Sequence, residues 1–333
     1  MKNLKKAFAF TLVLMLLIGI NVPAFAADAE GDTPPTDNPI YTDMTSITIR
    51  KGYKLIGAGS SPAETFTLEQ SGSGRVKDGD AQSAPALGAI TGAVFEEGAA
   101  ADPAASGTIT VTLPQYDSVG IYEYTLIEKA GTTAGVAYYG DAIMLVVTVI
   151  NGDDGKLRVA AIHTESEGAD KSDTFENTYS AGTLKISKTV TGNMGDKNKY
   201  FEFTVLLSGR SGMTYPETFA VSGGSYAQNP KTIKLNEGTT FMLKHGDTIS
   251  IANLPYDVDY MVIETAADGY TTTSTNETGR ISAAEQTAAF TNVKNSAVDT
   301  GVMLDSLPYV LILAAVLGGA AAMVVRRRRG AED

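Results

Sequence analysis

The chain has 333 residues, 43% of them hydrophobic, a formal net charge of −12, no Cys and no Trp. That length suits two domains with substantial cores, while the missing thiols exclude disulfides, zinc–thiolate sites and a Cys nucleophile. Two His leave little for a Ser-His-Asp triad or a His-rich metal centre, and the acidic balance speaks against a nucleic-acid partner, which needs clustered Lys and Arg. No metal, no cofactor and no enzymatic turnover of an outside substrate is expected.

The first predicted element is a secretory signal peptide over 1–26. Lys2, Lys5 and Lys6 form its charged region, Ala7 to Ile20 its apolar region, and Ala24-Phe25-Ala26 its small-x-small cleavage site. Residues 27–40, rich in Asp, Thr and Pro, read as an exposed linker. From about Tyr41 the pattern becomes period-2 alternation, as in Thr108-Ile109-Thr110-Val111-Thr112-Leu113. Turn signals such as Asn151-Gly152-Asp153-Asp154-Gly155 separate the runs. No long segment between the two ends has helical periodicity, so the reading is all-β, with short strands packed as sandwiches. Residues 71–106, rich in Gly, Ala and Ser, are expected to form a long surface excursion.

The β region repeats itself. Ile47-Thr48-Ile49-Arg50-Lys51 recurs as Leu184-Lys185-Ile186-Ser187-Lys188, Tyr124-Thr125-Leu126-Ile127-Glu128 as Tyr260-Met261-Val262-Ile263-Glu264, and Phe175-Glu176-Asn177 as Phe290-Thr291-Asn292. The shared order places one domain at 41–180 and a second at 181–296, with almost no linker between them. In a strand, residues i, i+2 and i+4 share a face. Lys51, Glu128, Asn177, Lys188, Glu264 and Asn292 therefore each continue an apolar, core-facing row. An unpaired charge buried there is costly, or shifts its pKa until neutral.

That placement suggests chemistry. A desolvated Lys tends to lose its proton and becomes a nucleophilic amine. A desolvated Glu tends to keep its proton and can polarise a neighbouring carboxamide and pass a proton to its leaving group. Attack of the Lys amine on the Asn carbonyl would expel ammonia and leave a Lys–Asn amide. The plainer alternative is a buried Lys–Glu ion pair beside a hydrogen-bonded Asn.

At the C-terminal end, Leu307 to Val325 is apolar and just long enough to span a bilayer as a helix. Arg326 to Arg329 follow, within a basic tail over 326–333 expected to stay cytoplasmic. Ala297-Val298-Asp299-Thr300-Gly301 precedes the helix. A Thr-Gly pair, an apolar helix and a basic tail resemble the sorting signal of Gram-positive wall proteins, which a sortase cuts between Thr and Gly, here Thr300 and Gly301. Val298 stands where the usual motif has Pro.

The chain as a whole resembles the two-domain major (backbone) pilins of Gram-positive bacteria. The resemblance is most specific in Phe241-Met242-Leu243-Lys244-His245-Gly246-Asp247, Ile251-Ala252-Asn253-Leu254-Pro255, Tyr260 to Glu264 and Ala289-Phe290-Thr291-Asn292. It implies two tandem immunoglobulin-like (pilin/CnaB-type) β-sandwich domains, each with a Lys–Asn isopeptide bond made with Glu as catalyst: Lys51, Glu128 and Asn177, then Lys188, Glu264 and Asn292. It also implies a secreted, wall-anchored subunit joined head to tail with other copies, the Thr of one linked to a Lys of the next, with sortase and peptidoglycan or accessory pilins as partners. Lys171, six residues before Asn177, is the nearest match to that Lys, and Lys156 a weaker one. A monomeric wall-anchored adhesin or minor pilin with the same cross-links is the alternative.

Overall fold

The computed structural model describes residues 43–166, 171–172, 174–297 and 307–329. The signal peptide, the linker and the Thr300-Gly301 pair lie outside the described residues. Strands dominate, and the fold is all-β as expected.

The strands of the first core are β1 (Ser46–Gly57), β2 (Glu64–Phe66), β3 (Leu68–Gln70), β4 (Arg75–Gly79), β5 (Ile90–Thr91), β6 (Ala93–Phe95), β7 (Ala105–Thr112), β8 (Gly120–Glu128), β9 (Val136–Ala137), β10 (Ile143–Asn151), β11 (Leu157–Ser166) and the start of β12 (Thr174–Thr191). β12, β1, β7 and β5 lie side by side in one sheet, and β11, β10, β8 and β3 in another, with β4 also paired to β8. Their alternating rows meet in a core that includes Ile49, Tyr53, Tyr122, Tyr124, Leu126 and Tyr179. The β10–β11 connection tightens at Asn151–Gly155, where the Gly152 N–H donates to the Lys156 carbonyl at 2.7 Å.

One expectation fails here. Residues 71–106 are more than a surface excursion: β4 joins a main sheet, β6 pairs with β2, and Ala93, Phe95 and Ala100 are buried in the core. Phe95 packs edge-on against Tyr53, ring centroids 5.3 Å apart. Small residues around it leave room for backbone to approach, so a Gly- and Ala-rich segment is compatible with close packing as well as with a loop.

The second core is built by the rest of β12 with β13 (Phe201–Ser208), β14 (Phe219–Gly223), β15 (Thr232–Ile233), β16 (Thr239–Leu243), β17 (Thr248–Pro255), β18 (Asp259–Glu264), β19 (Thr271–Thr275), β20 (Thr278–Arg280) and β21 (Glu285–Val293). β15, β14, β17, β12, β21 and β19 form one layer and β16, β13, β18 and β20 the other. Leu184, Ile186, Phe203, Phe241, Ile251, Leu254 and Phe290 are among the side chains between them.

β12 contributes to one sheet of each core. Its first half runs parallel to β1, pairing Lys51 with Phe175 and Tyr53 with Asn177. Its second half runs parallel to β21, pairing Lys188 with Phe290 and Val190 with Asn292. One continuous strand therefore passes from the first core into the second. At the crossing, Gly57 has φ +85, and a Cβ there would stand 2.2 Å from the Ala181 carbonyl oxygen, a position only glycine fills without strain.

α1 (Leu307–Arg329) is helical, and its side chains from Tyr309 to Met323 are exposed. Among the described residues no helix is long and apolar enough to cross a membrane, so the bilayer span expected at Leu307 to Val325 is not found there.

Candidate functional site

Alternation carries Lys51 on β1 and Glu128 on β8 toward each other across the first core, and Asn177 on β12 stands beside Lys51. Lys51 and Glu128 side chains are 1% and 0% exposed and form an ion pair. Lys51 Nζ donates to Asn177 Oδ1 at 2.7 Å, and Asn177 Nδ2 donates to Glu128 Oε1 at 2.5 Å. Each of the three side chains thus touches the other two. The rings of Phe66 and Tyr139 wall the amine, each with its centroid 5.5 Å from Nζ. Burial pushes the Lys51 pKa below its ordinary value, against the opposing pull of Glu128.

The second core repeats the arrangement. Lys188 Nζ donates to Glu264 Oε1 and Oε2 at 2.8 and 2.7 Å, and Asn292 Nδ2 donates to Glu264 Oε1 at 2.5 Å. The centroid of Phe201 is 4.5 Å from the amine. Burial lowers the Lys188 pKa too, again opposed by its Glu. Both sites hold an amine of lowered pKa against a carboxylate that also accepts from the Asn carboxamide, and in the first the amine bonds the carboxamide as well. That is the geometry acyl transfer from Asn to Lys requires.

The sites differ at the Asn carbonyl: Lys51 Nζ donates to Asn177 Oδ1 whereas Lys188 does not reach Asn292 Oδ1, and a further difference is one that no side-chain pattern signals. In the first, Asn177 Oδ1 also accepts the backbone N–H of Tyr139 at 2.7 Å. In the second, Asn292 Oδ1 is buried without a hydrogen-bond partner.

The remaining candidates lie apart from both sites. Lys171 is exposed and faces Glu165 in an isolated antiparallel bridge. Lys156 is exposed at the turn before β11, its N–H donating to Asp154 Oδ1. The two His are separate: His163 contacts Glu165, and His245 Nδ1 accepts the Val190 N–H. Among the described residues no group of three or more His, Asp or Glu is placed to hold a metal ion.

Comparison with known proteins follows the same division. Residues 50–180 match the family described as Spy0128-like isopeptide containing domain, and residues 182–294 match a domain of unknown function (DUF7601). A pilin of Streptococcus pyogenes serotype M1 is 27% identical over 225 residues, covering 61% of this chain and 66% of that protein. Over these stretches the chain is similar to the Gram-positive pilins. The pilus tip adhesin Cpa of Streptococcus pyogenes is 33% identical over 130 residues, covering 37% of this chain and 18% of the adhesin. The crystal structure of the major pilin from Streptococcus pyogenes has the same fold: TM-score 0.50 at 22% identity, over 77% of this chain and 100% of that one.

Proposed function

We propose that this chain is a structural subunit of a sortase-assembled pilus shaft on the cell surface, stiffened in each domain by a self-generated amide: Lys51 to Asn177 and Lys188 to Asn292. The domains are taken as 41–180 and 181–296. Glu128 and Glu264 act as proton shuttles, accepting a proton from the attacking amine and returning it to the departing ammonia. The chain turns over no outside substrate. A sortase cuts between Thr300 and Gly301 and joins Thr300 to Lys171 of another copy, or to peptidoglycan at the base.

The observation that carries the reading is the pair of buried Lys–Glu–Asn sets, each bridging two parallel, adjacent strands. Intact mass of the secreted region, 27–296, tests it. The expected mass is that of the sequence less two ammonias. Lys51→Ala or Lys188→Ala should restore one, and a double Glu128→Ala, Glu264→Ala variant should restore both. A wild-type mass equal to that of the unmodified sequence would refute the cross-links.

Assembly has its own readout. Co-expression with a pilus sortase should give a ladder of SDS-resistant multimers that disappears in Lys171→Ala. The similarity to a tip adhesin favours the second reading, a wall-anchored minor pilin or adhesin, and a single band would support it.

A further inference from the structure

The two sites hold the same three side chains but treat the Asn carbonyl differently. Expelling ammonia from a carboxamide passes through a tetrahedral intermediate whose oxygen carries the charge. A fixed N–H donor aimed at that oxygen accelerates such a step by about 10²–10³-fold. In the first domain that oxygen is Asn177 Oδ1, and the Tyr139 N–H reaches it at 2.7 Å, a distance suited to an oxyanion donor. A backbone N–H can only donate, so it also fixes which end of the carboxamide is oxygen and leaves Nδ2 pointing at Glu128.

The chain path explains the donor. β9 pairs with β12 at Tyr179↔Val136 and Thr178↔Ala137 and then leaves the ladder. Two residues later the Tyr139 N–H meets the Asn177 side chain instead of a backbone carbonyl. The Tyr139 ring stacks edge-on against Phe175, centroids 5.1 Å apart, and anchors the segment. In the second domain the strand beside the reactive Asn is β19. It stays in register past that residue, with Thr272↔Asn292 and Thr271↔Val293. Its backbone remains in the ladder, Lys188 donates to both oxygens of Glu264, and Asn292 Oδ1 has no partner.

We propose that the backbone N–H of Tyr139 is a catalytic group: it stabilises the oxyanion of the first cross-linking reaction. The second site has no equivalent donor among the described residues, so Lys51–Asn177 closes before Lys188–Asn292. This rests on the cross-linking reading above. In the step, the Lys51 Nζ lone pair forms a bond to Asn177 Cγ and the carbonyl π pair moves onto Oδ1, held by the Tyr139 N–H. Glu128 takes a proton from Nζ and gives it to Nδ2. Collapse breaks the Cγ–Nδ2 bond, releasing one ammonia and leaving one amide.

The test is the rate of ammonia loss in the freshly synthesised full chain, followed by acid quenching and intact mass. Lys188→Ala reports the first bond alone and Lys51→Ala the second alone. The first should form at least about 10-fold faster than the second. Replacing Tyr139 by its α-hydroxy acid exchanges only the N–H for an ester oxygen. It should slow the first bond about 100-fold and leave the second at its wild-type rate. Equal rates for the two bonds, or an ester chain that closes the first bond at the normal rate, would overturn the proposal while leaving the cross-links intact. Should the ester variant misfold, the comparison between the two Lys variants still decides. No ammonia loss in any chain would remove the cross-linking reading itself.

Discussion

The two buried amines are the residues whose energetics are least ordinary. Lys188 is fully buried and its pKa is lowered, by burial first and against the pull of Glu264. Replacing Glu264 by Gln removes the carboxylate, leaves the bond unmade and keeps the amine buried. Below the folded-state pKa both folded and unfolded chains hold the proton. Above it the folded chain has released the proton while the unfolded chain keeps it up to about 10.4. The unfolded state then binds more protons, so stability should rise with pH across that window. Thermal melts of Glu264→Gln at stepped alkaline pH should show midpoints that climb; a flat or falling series would contradict a lowered Lys188 pKa. Lys188→Ala removes the proposed cross-link outright. Opening a loop of roughly 100 residues should lower the unfolding free energy by about 4–5 kcal/mol, measured by urea titration against the wild type.

At the scale of elements, β12 is the member on which both domains depend. Its pairing shifts register between Gly182 and Leu184 where it changes neighbours. A Cβ on Gly182 would lie 2.1 Å from the Ala283 carbonyl oxygen, which is backbone and cannot swing aside. Gly182→Ala should therefore destabilise the chain by roughly 1–3 kcal/mol, read as a lower thermal midpoint with both ammonias still lost. The junction is held from a second side. Thr214 N–H donates to the Thr132 carbonyl at 2.7 Å and Ala134 N–H to the Thr214 carbonyl at 2.9 Å, a short backbone bridge from one domain to the other. Ser60 N–H and the Tyr179 hydroxyl both donate to Asn253 Oδ1. A continuous strand, a backbone bridge and a shared Asn oppose bending between the two cores more than a flexible linker would.

In the whole molecule, the order of the proposed attachment points decides which of the two proposed cross-links would carry load. A subunit pulled from Lys171 passes tension down β12 through Asn177 to Lys188. From there it crosses to Asn292 and leaves along the chain toward Thr300. A Lys188–Asn292 bond would lie in that path and shield the segment between its ends, whereas a Lys51–Asn177 bond would lie beside the path and brace β12 laterally. Single-molecule pulling between residue 171 and the C-terminal end should give an inextensible wild type and an inextensible Lys51→Ala. Lys188→Ala should lengthen by the chain between 188 and 292. Extension in Lys51→Ala as well would place the first bond in the load path and count against attachment at Lys171.

Much of this was legible from residue order alone. Strict alternation determined that Lys51, Glu128, Asn177, Lys188, Glu264 and Asn292 face inward, because strand geometry sends every second side chain to the same side. The buried cost of those groups then narrowed the chemistry. Composition misled at 71–106, where small residues signal a loop and close packing equally well, and Ala93 and Phe95 entered the core. Tertiary structure alone decided what depends on which strands are neighbours: that β1 and β12, then β12 and β21, are parallel partners, and that one strand serves both domains. It alone revealed the Tyr139 donor, because every residue but proline has a backbone N–H and only the path of the chain determines where it points.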